Sequence, residues 1–406
     1  MRPIRLAVFF DQTIQAGGGY QQALNAALLT LEIPGELVDV VFFTNLKENI
    51  TTLSSHGVNV KLIHLSPFEK IRTYLRGAVL TPALLKVIKR FERYTPFEKY
   101  FIEESIDLVY FLSPTSRARS LEEINYITTV WDLCHRDDPE FPEVRWDRQL
   151  EARDKNYQAI LPRAIATFVD SELGRNNLVR RYGIDVERIH VVPFQGAVSI
   201  RAHSETETGS TINICEKYQL SVPYVFYPAQ FWAHKNHVYL LEGLRVLEDL
   251  HGIKVGAVFS GGDQGNQQYV EKRTRELGLE DRIRFAGFVP NEEVPDLYRQ
   301  SLALVMPTYF GPTNLPPLEA FALGVPVLYS DKAGLRDQVG NAGMLMDLTN
   351  PETMAGHIKA LLEDYQLKDQ MVKAGHTRLS NIDSEDRVGV LHDVLKEFRA
   401  RRLCWS

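Results

Sequence analysis

The sequence predicts an α/β protein built on two doubly wound, mostly parallel sheets. At 406 residues, the chain is longer than one hydrophobic core usually supports, so two domains are expected. Short apolar runs alternate with helical patterns in two separate series, as strands do when crossover helices cover both faces of their sheet. Between the two series, residues 199–211 read SIRAHSETETGST, polar and rich in Ser, Thr and Glu as linkers are.

The first series has apolar runs at 4–10, 38–43, 58–65, 106–112, 126–131, 164–169 and 189–193. Its opening run, IRLAVFF, meets Asp11 and then a loop with Gly17, Gly18 and Gly19, followed by a helical pattern from 20 to 31. The glycines lack the GxGxxG spacing of a dinucleotide loop. They allow close backbone approach to a ligand, and they equally suit a flexible turn. The second series runs at 224–227, 255–260, 283–288, 302–306, 325–329 and 343–346, with helical patterns at 237–250, 267–277 and 293–300. Residues 384–402 form an amphipathic, charged helix expected to pack back on the first domain. The expected organisation is therefore 1–200, 215–380 and a terminal helical segment, 381–406.

Composition excludes several classes. Hydrophobic content of 44% and charged content of 24% are ordinary for a globular protein. No apolar run approaches the ~18 residues of a membrane helix, and the N-terminal run is too short for a signal peptide, so a cytoplasmic protein is expected. Cys134, Cys215 and Cys404 lie far apart, which argues against a disulfide framework or a structural zinc site. A formal net charge of −6 argues against nucleic acid as a partner. One segment runs against that charge: residues 66–100 carry eight basic residues against three acidic, a net +5, interleaved with aromatics. Such a segment can contact an anionic membrane surface or an anionic acceptor, or form a solvated pair of helices.

The chemistry concentrates in residues 302–331, LALVMPTYFGPTNLPPLEAFALGVPVLYSD. The pattern reads strand, loop, short helix, strand, with Pro316 and Pro317 near the helix start and Gly324 past its end. A loop feeding a helix offers unpaired N–H groups and a positive dipole end, which suit phosphate. The prolines have no N–H, so Thr313, Asn314 and Leu315 are the expected donors. Glu319, one turn in, can accept from neutral hydroxyls such as a ribose diol. Lys235, in YPAQFWAHKNH after the first strand of the second series, is placed to reach a phosphate held by that loop. No Asp pair stands at a strand end in the second series. Lys235 and the helix terminus are therefore expected to stabilise a leaving diphosphate without a metal.

The order SELGRNNLVRRYGIDVERIHVVPF, YPAQFWAHKNH, FSGGDQG, RIRFAGFVP and LPPLEAFALGVPVLYSD resembles glycosyltransferase family 4, the retaining GT-B enzymes of glycosyl transferases group 1, over nearly the whole chain. The resemblance implies two Rossmann-like domains facing a cleft. A nucleoside-diphosphate sugar would bind the C-terminal domain as donor substrate, and a saccharide or lipid-linked acceptor mainly the N-terminal one. It also implies that Lys235 binds phosphate, Glu319 the ribose, and the backbone at Phe288 and Val289 the base. Gly17 to Gly19 would lie near donor phosphate and acceptor, and Gly262 of FSGGDQG joins the donor-binding positions.

Three positions depart from the family pattern. Gly311 stands where a glutamate is usual, leaving Thr313 and Asn314 to contact the sugar; Gln230 replaces an arginine; and Trp131 replaces a histidine. Asp132 and His135, in VWDLCHRDDPEFP, are the acceptor-side candidates, with a turn-capping Asp and a packed His as the alternatives. The expected function is retaining transfer of a hexose in cell-surface polysaccharide assembly. Its alternatives are a silent nucleotide-sugar binder and a sugar-nucleotide epimerase.

Overall fold

The structure is a computed structural model, and it describes residues 2–13, 18–78, 87–90, 92–196, 212–311 and 313–405. Gly17 and the 199–211 stretch lie outside these residues. The described chain divides into two compact units. The first is Met1–His135, Leu150–Phe194 and Asp386–Ser406; the second is Arg136–Gln149 and Gln195–Glu385.

The first unit contains a seven-stranded sheet of order β3-β2-β1-β4-β5-β6-β7. Its strands are β1 (Ile4–Phe10), β2 (Val38–Thr44), β3 (Val60–Leu62), β4 (Leu108–Phe111), β5 (Asn125–Val130), β6 (Ala166–Val169) and β7 (Ile189–Val191). Every pairing is parallel. β1, β4 and β6 are apolar runs rather than alternating patterns, because helices bury both faces. An aromatic cluster fills one side of this sheet: Phe9 meets Phe97 and Phe111 edge to face, and Phe101 meets Phe43 and Phe97 likewise.

The second unit contains a six-stranded parallel sheet of order β10-β9-β8-β11-β12-β13. Its strands are β8 (Tyr224–Pro228), β9 (Gly256–Ser260), β10 (Ile283–Gly287), β11 (Leu304–Met306), β12 (Val327–Ser330) and β13 (Gly343–Met346). Chain order reverses between β8 and β11, and the carboxyl ends of such a pair are where doubly wound sheets bind ligands. The same reversal falls between β1 and β4 in the first unit.

One segment does not follow the 1–200 division read from the sequence, and the last helix joins the first unit, as its amphipathic pattern leads one to expect. Arg136–Gln149 packs with the second unit, because Phe141 sits among His234, Tyr309 and Phe310 while Glu143 bonds His234. The last helix, Arg387–Arg402, belongs to the first unit. There Arg387 donates to Pro193 O at 2.8 Å and Arg399 to Glu36 O at 3.0 Å.

Candidate active site

Lys235 closes a short turn, Ala233–Lys235, between β8 and the helix His237–His251. Its Nζ donates to Asn314 Oδ1 at 3.2 Å, so the loop after β8 and the loop after β11 meet through these two residues. Asn314 is fixed from all sides. Its Nδ2 donates to Gly311 O and to Tyr329 OH, both at 2.6 Å. Its backbone N–H donates to Gln338 Oε1 at 3.0 Å, and Gln338 Nε2 returns a bond to Asn314 O at 2.6 Å. The loop pattern alone offers the Asn314 N–H to a phosphate. The structure commits it to Gln338 instead, a partner 24 residues away that local pattern cannot indicate.

The helix Leu315–Ala322 starts at buried Leu315, with Thr313 half-buried just before it. Glu319 is on this helix, and its Oε2 accepts from Tyr298 OH at 2.9 Å. Tyr298 is wholly buried, and burial together with the neighbouring Glu319 carboxylate pushes its hydroxyl well above the usual tyrosine range. Tyr298 therefore stays a proton donor and orients Glu319. Gly311 has φ +102°, and a Cβ there would stand 2.8 Å from Asn314 Oδ1. Only glycine fits that backbone with Asn314 in place, which gives the departure from glutamate a physical cause.

The remaining second-unit candidates stand at neighbouring loops. Gln230 Oε1 accepts from Trp232 Nε1 at 3.1 Å. Gly262 lies just past β9, and its carbonyl accepts from the Phe231 N–H at 3.0 Å. Phe288, just past β10, is 81% exposed while Val289 is buried, so the ring of Phe288 is open to stacking.

The first-unit candidates form a separate set. Gly18 and Gly19 begin the helix Gly18–Leu29, where N–H groups have no helical partner. A Cβ on Gly19 would stand 2.9 Å from the Trp131 ring, so glycine here accommodates the indole. Asp132 Oδ1 accepts from the Cys134 N–H at 3.0 Å and from Arg153 at 2.7 Å. Burial pushes the carboxyl up, but the Arg153 guanidinium and Cys134 outweigh it and hold Asp132 well below the usual range. It is a turn cap locked in an ion pair. His135 is wholly buried, with Nε2 2.8 Å from Tyr182 OH and its ring edge to face with Tyr157. That is a packed core histidine rather than a side chain presented to an acceptor.

The basic segment is also changed by its surroundings. Arg72 pairs with Glu92, Arg76 forks onto Glu122 at 2.8 and 3.0 Å, Lys89 reaches Glu122 at 3.0 Å, and Arg93 reaches Glu123 at 3.1 Å. Glu122 and Glu123 lie outside the segment and offset its charge. What faces outward on the helix Pro67–Ala78 is mostly apolar: Phe68, Ile71, Tyr74 and Leu75 are exposed, with Lys70 beside them. Among the described residues, no helix is long and apolar enough to cross a membrane.

Residues that the sequence reading missed do much of the positioning: Tyr298, Tyr329, Gln338 and Glu143. Each acts on a partner 15 or more residues away, so spacing along the chain does not mark the contact, even for Tyr329 within the 302–331 stretch.

Two doubly wound units of this kind define the GT-B class. A glycosyltransferase from Rickettsia africae matches with a TM-score of 0.69 at 16% identity, covering 98% of this chain and 99% of that one. Anabaena HepE in complex with UDP-glucose matches with a TM-score of 0.69 at 16% identity, covering 98% and 100%. Residues 216–378 match the family model described as glycosyl transferases group 1. An O-antigen chain mannosyltransferase B from Escherichia coli is 28% identical over 243 residues, 59% of this chain. The chain spans 61% of that relative's length.

Proposed function

We propose that the protein is a retaining glycosyltransferase. It moves a hexose, for example mannose or rhamnose, from a nucleoside-diphosphate sugar to a saccharide or lipid-linked saccharide in cell-surface polysaccharide assembly. The observation that carries this reading is the Lys235–Asn314 contact at the β8/β11 reversal, which puts a cation beside a helix start. The similarity to an O-antigen mannosyltransferase and to a UDP-glucose complex supports the saccharide acceptor and the nucleotide-sugar donor.

Lys235 would hold the diphosphate, and Glu319, oriented by Tyr298, would accept from the ribose hydroxyls. The bond from the anomeric carbon to the diphosphate oxygen breaks, and the acceptor oxygen bonds to the same face. The acceptor proton passes to the leaving phosphate. Such a route needs positioning and charge stabilisation more than a protein base, and it is metal-independent with Lys235 meeting the new charge. The exposed stripe Phe68, Ile71, Tyr74 and Leu75 supports a cytoplasmic enzyme with peripheral contact at the inner membrane face.

Thermal stabilisation by a panel of nucleotide sugars identifies the donor, since a ligand that binds only the folded state raises Tm. Product analysis with and without saccharide acceptors follows. Conversion without acceptor would mark an epimerase, and binding without product a silent binder; either overturns the reading. Turnover abolished by a chelator and restored by magnesium would overturn its metal-free part.

A further inference from the structure

Residues 136–149 cross the carboxyl edge of the second unit's sheet, touching its loops in strand order. Lys332, after β12, donates to Asp138. Phe141 packs 5.2 Å from Tyr309 and 5.5 Å from Phe310, after β11. Glu143 bonds His234, after β8. Trp146 closes on Gly265, after β9, within 3.0 Å of where a Cβ would stand. This segment lies outside the 216–378 region that carries the family match.

Glu143 is its most unusual member. The side chain is only 8% exposed. Oε1 is used twice, accepting from the His234 N–H at 3.0 Å and lying 2.6 Å from His234 Nδ1. The His234 ring stacks on Phe310 at 3.7 Å, so the carboxylate is tied through His234, the residue before Lys235, to Phe310, the residue before Gly311. Oε2 is buried and has no hydrogen-bond partner among the described residues. Buried polar atoms in folded proteins almost always have one. Burial pushes the carboxyl up, but the bonds from His234 outweigh it and hold Glu143 below the usual range, so it is ionised at neutral pH. An ionised oxygen repels a phosphate and accepts from a neutral hydroxyl.

We propose that Glu143 Oε2 accepts a hydrogen bond from a hydroxyl of the transferred sugar, with Oε1 clamped by His234 so that the carboxylate cannot turn away. This rests on the nucleotide-sugar reading above.

The test is calorimetric titration of the full chain and its Glu143→Gln variant with UDP, GDP, UDP-glucose and GDP-mannose. The variant is expected to keep its affinity for the nucleoside diphosphate within about twofold and to lose tenfold or more for the matching nucleotide sugar, as loss of a hydrogen bond to a charged group implies. Equal loss for both ligands, or loss for neither, would overturn the proposal. Should the variant fail to fold, the natural protein is titrated with donors deoxygenated one hydroxyl at a time. At least one must bind tenfold more weakly, and uniform binding overturns the assignment. A natural protein that binds none of the four ligands overturns the function reading itself, a result distinct from either outcome above.

Discussion

Lys235 Nζ donates to Asn314 Oδ1 across 3.2 Å, and this bond joins the two loops at the centre of the second unit's sheet. Asn314→Ala removes the acceptor and leaves Gly311 O and Tyr329 OH without their 2.6 Å donor. Donor turnover, kcat/KM, is expected to fall tenfold or more, consistent with a loss of roughly 1.5–3 kcal/mol for a bond to a charged group. Initial rates against donor concentration measure it. Unchanged rates would show that Lys235 needs no such support.

Placing at position 311 the glutamate usual in the family that the chain resembles is expected to fail. With φ at +102° and Asn314 Oδ1 2.8 Å from any Cβ, Gly311→Ala and Gly311→Glu should each destabilise by about 1–3 kcal/mol. Neither should raise activity. Denaturant unfolding and donor turnover, read together, check both halves.

His237 is wholly buried, stacks on Phe231 at 4.5 Å, and burial pushes its imidazole down to about 3. The unfolded chain takes up a proton there near pH 6.5, whereas the folded one stays neutral until about 3. The unfolded state thus binds more protons between these values, so stability falls as pH drops from 6.5, by about 1.4 kcal/mol per unit for this group. His237→Phe keeps a ring and removes the titration. Its stability between pH 6.5 and 4 should fall less steeply than that of the natural protein, and identical slopes would refute the assignment.

Membrane contact, if it runs through the helix Pro67–Ala78, should depend on apolar residues more than on charge. Arg72, Arg76, Lys89 and Arg93 are all paired with carboxylates, while Phe68 and Ile71 are exposed. Co-sedimentation with anionic vesicles is expected to fall strongly in Phe68→Glu and Ile71→Glu, and to change little between 0.05 and 0.2 M salt, conditions that weaken purely electrostatic binding. A steep salt dependence with no effect of the two substitutions would reverse this view.

The sheets were legible in the sequence for a simple reason. Parallel strands buried on both faces leave uninterrupted apolar runs such as IRLAVFF, and the intervening helices leave their own period. The placement of Lys235 after β8 and of Glu319 on the helix after β11 was legible too, because the end of an apolar run and the prolines at a helix start are marked locally in the chain. The same local reasoning could not tell that Asp132 is tied to Arg153 or that His135 is packed under Tyr157 and Tyr182. A motif fixes neighbours along the chain, not which way a side chain faces.

The sequence by itself therefore determined two α/β units, the loops at their strand ends and the residues those loops offer. Only the tertiary structure decided which of those residues are committed elsewhere. Gln338 takes the Asn314 N–H, and Tyr298 orients Glu319. Glu143 comes from 91 residues away to hold His234. The physical reason is that hydrogen bonds are short and directional, so a partner is chosen by packing across the fold and leaves no periodic trace in the chain. At residues 302–331 the local pattern yields a loop and a helix; the packing against Lys235, Tyr329 and Gln338 makes them one structured site.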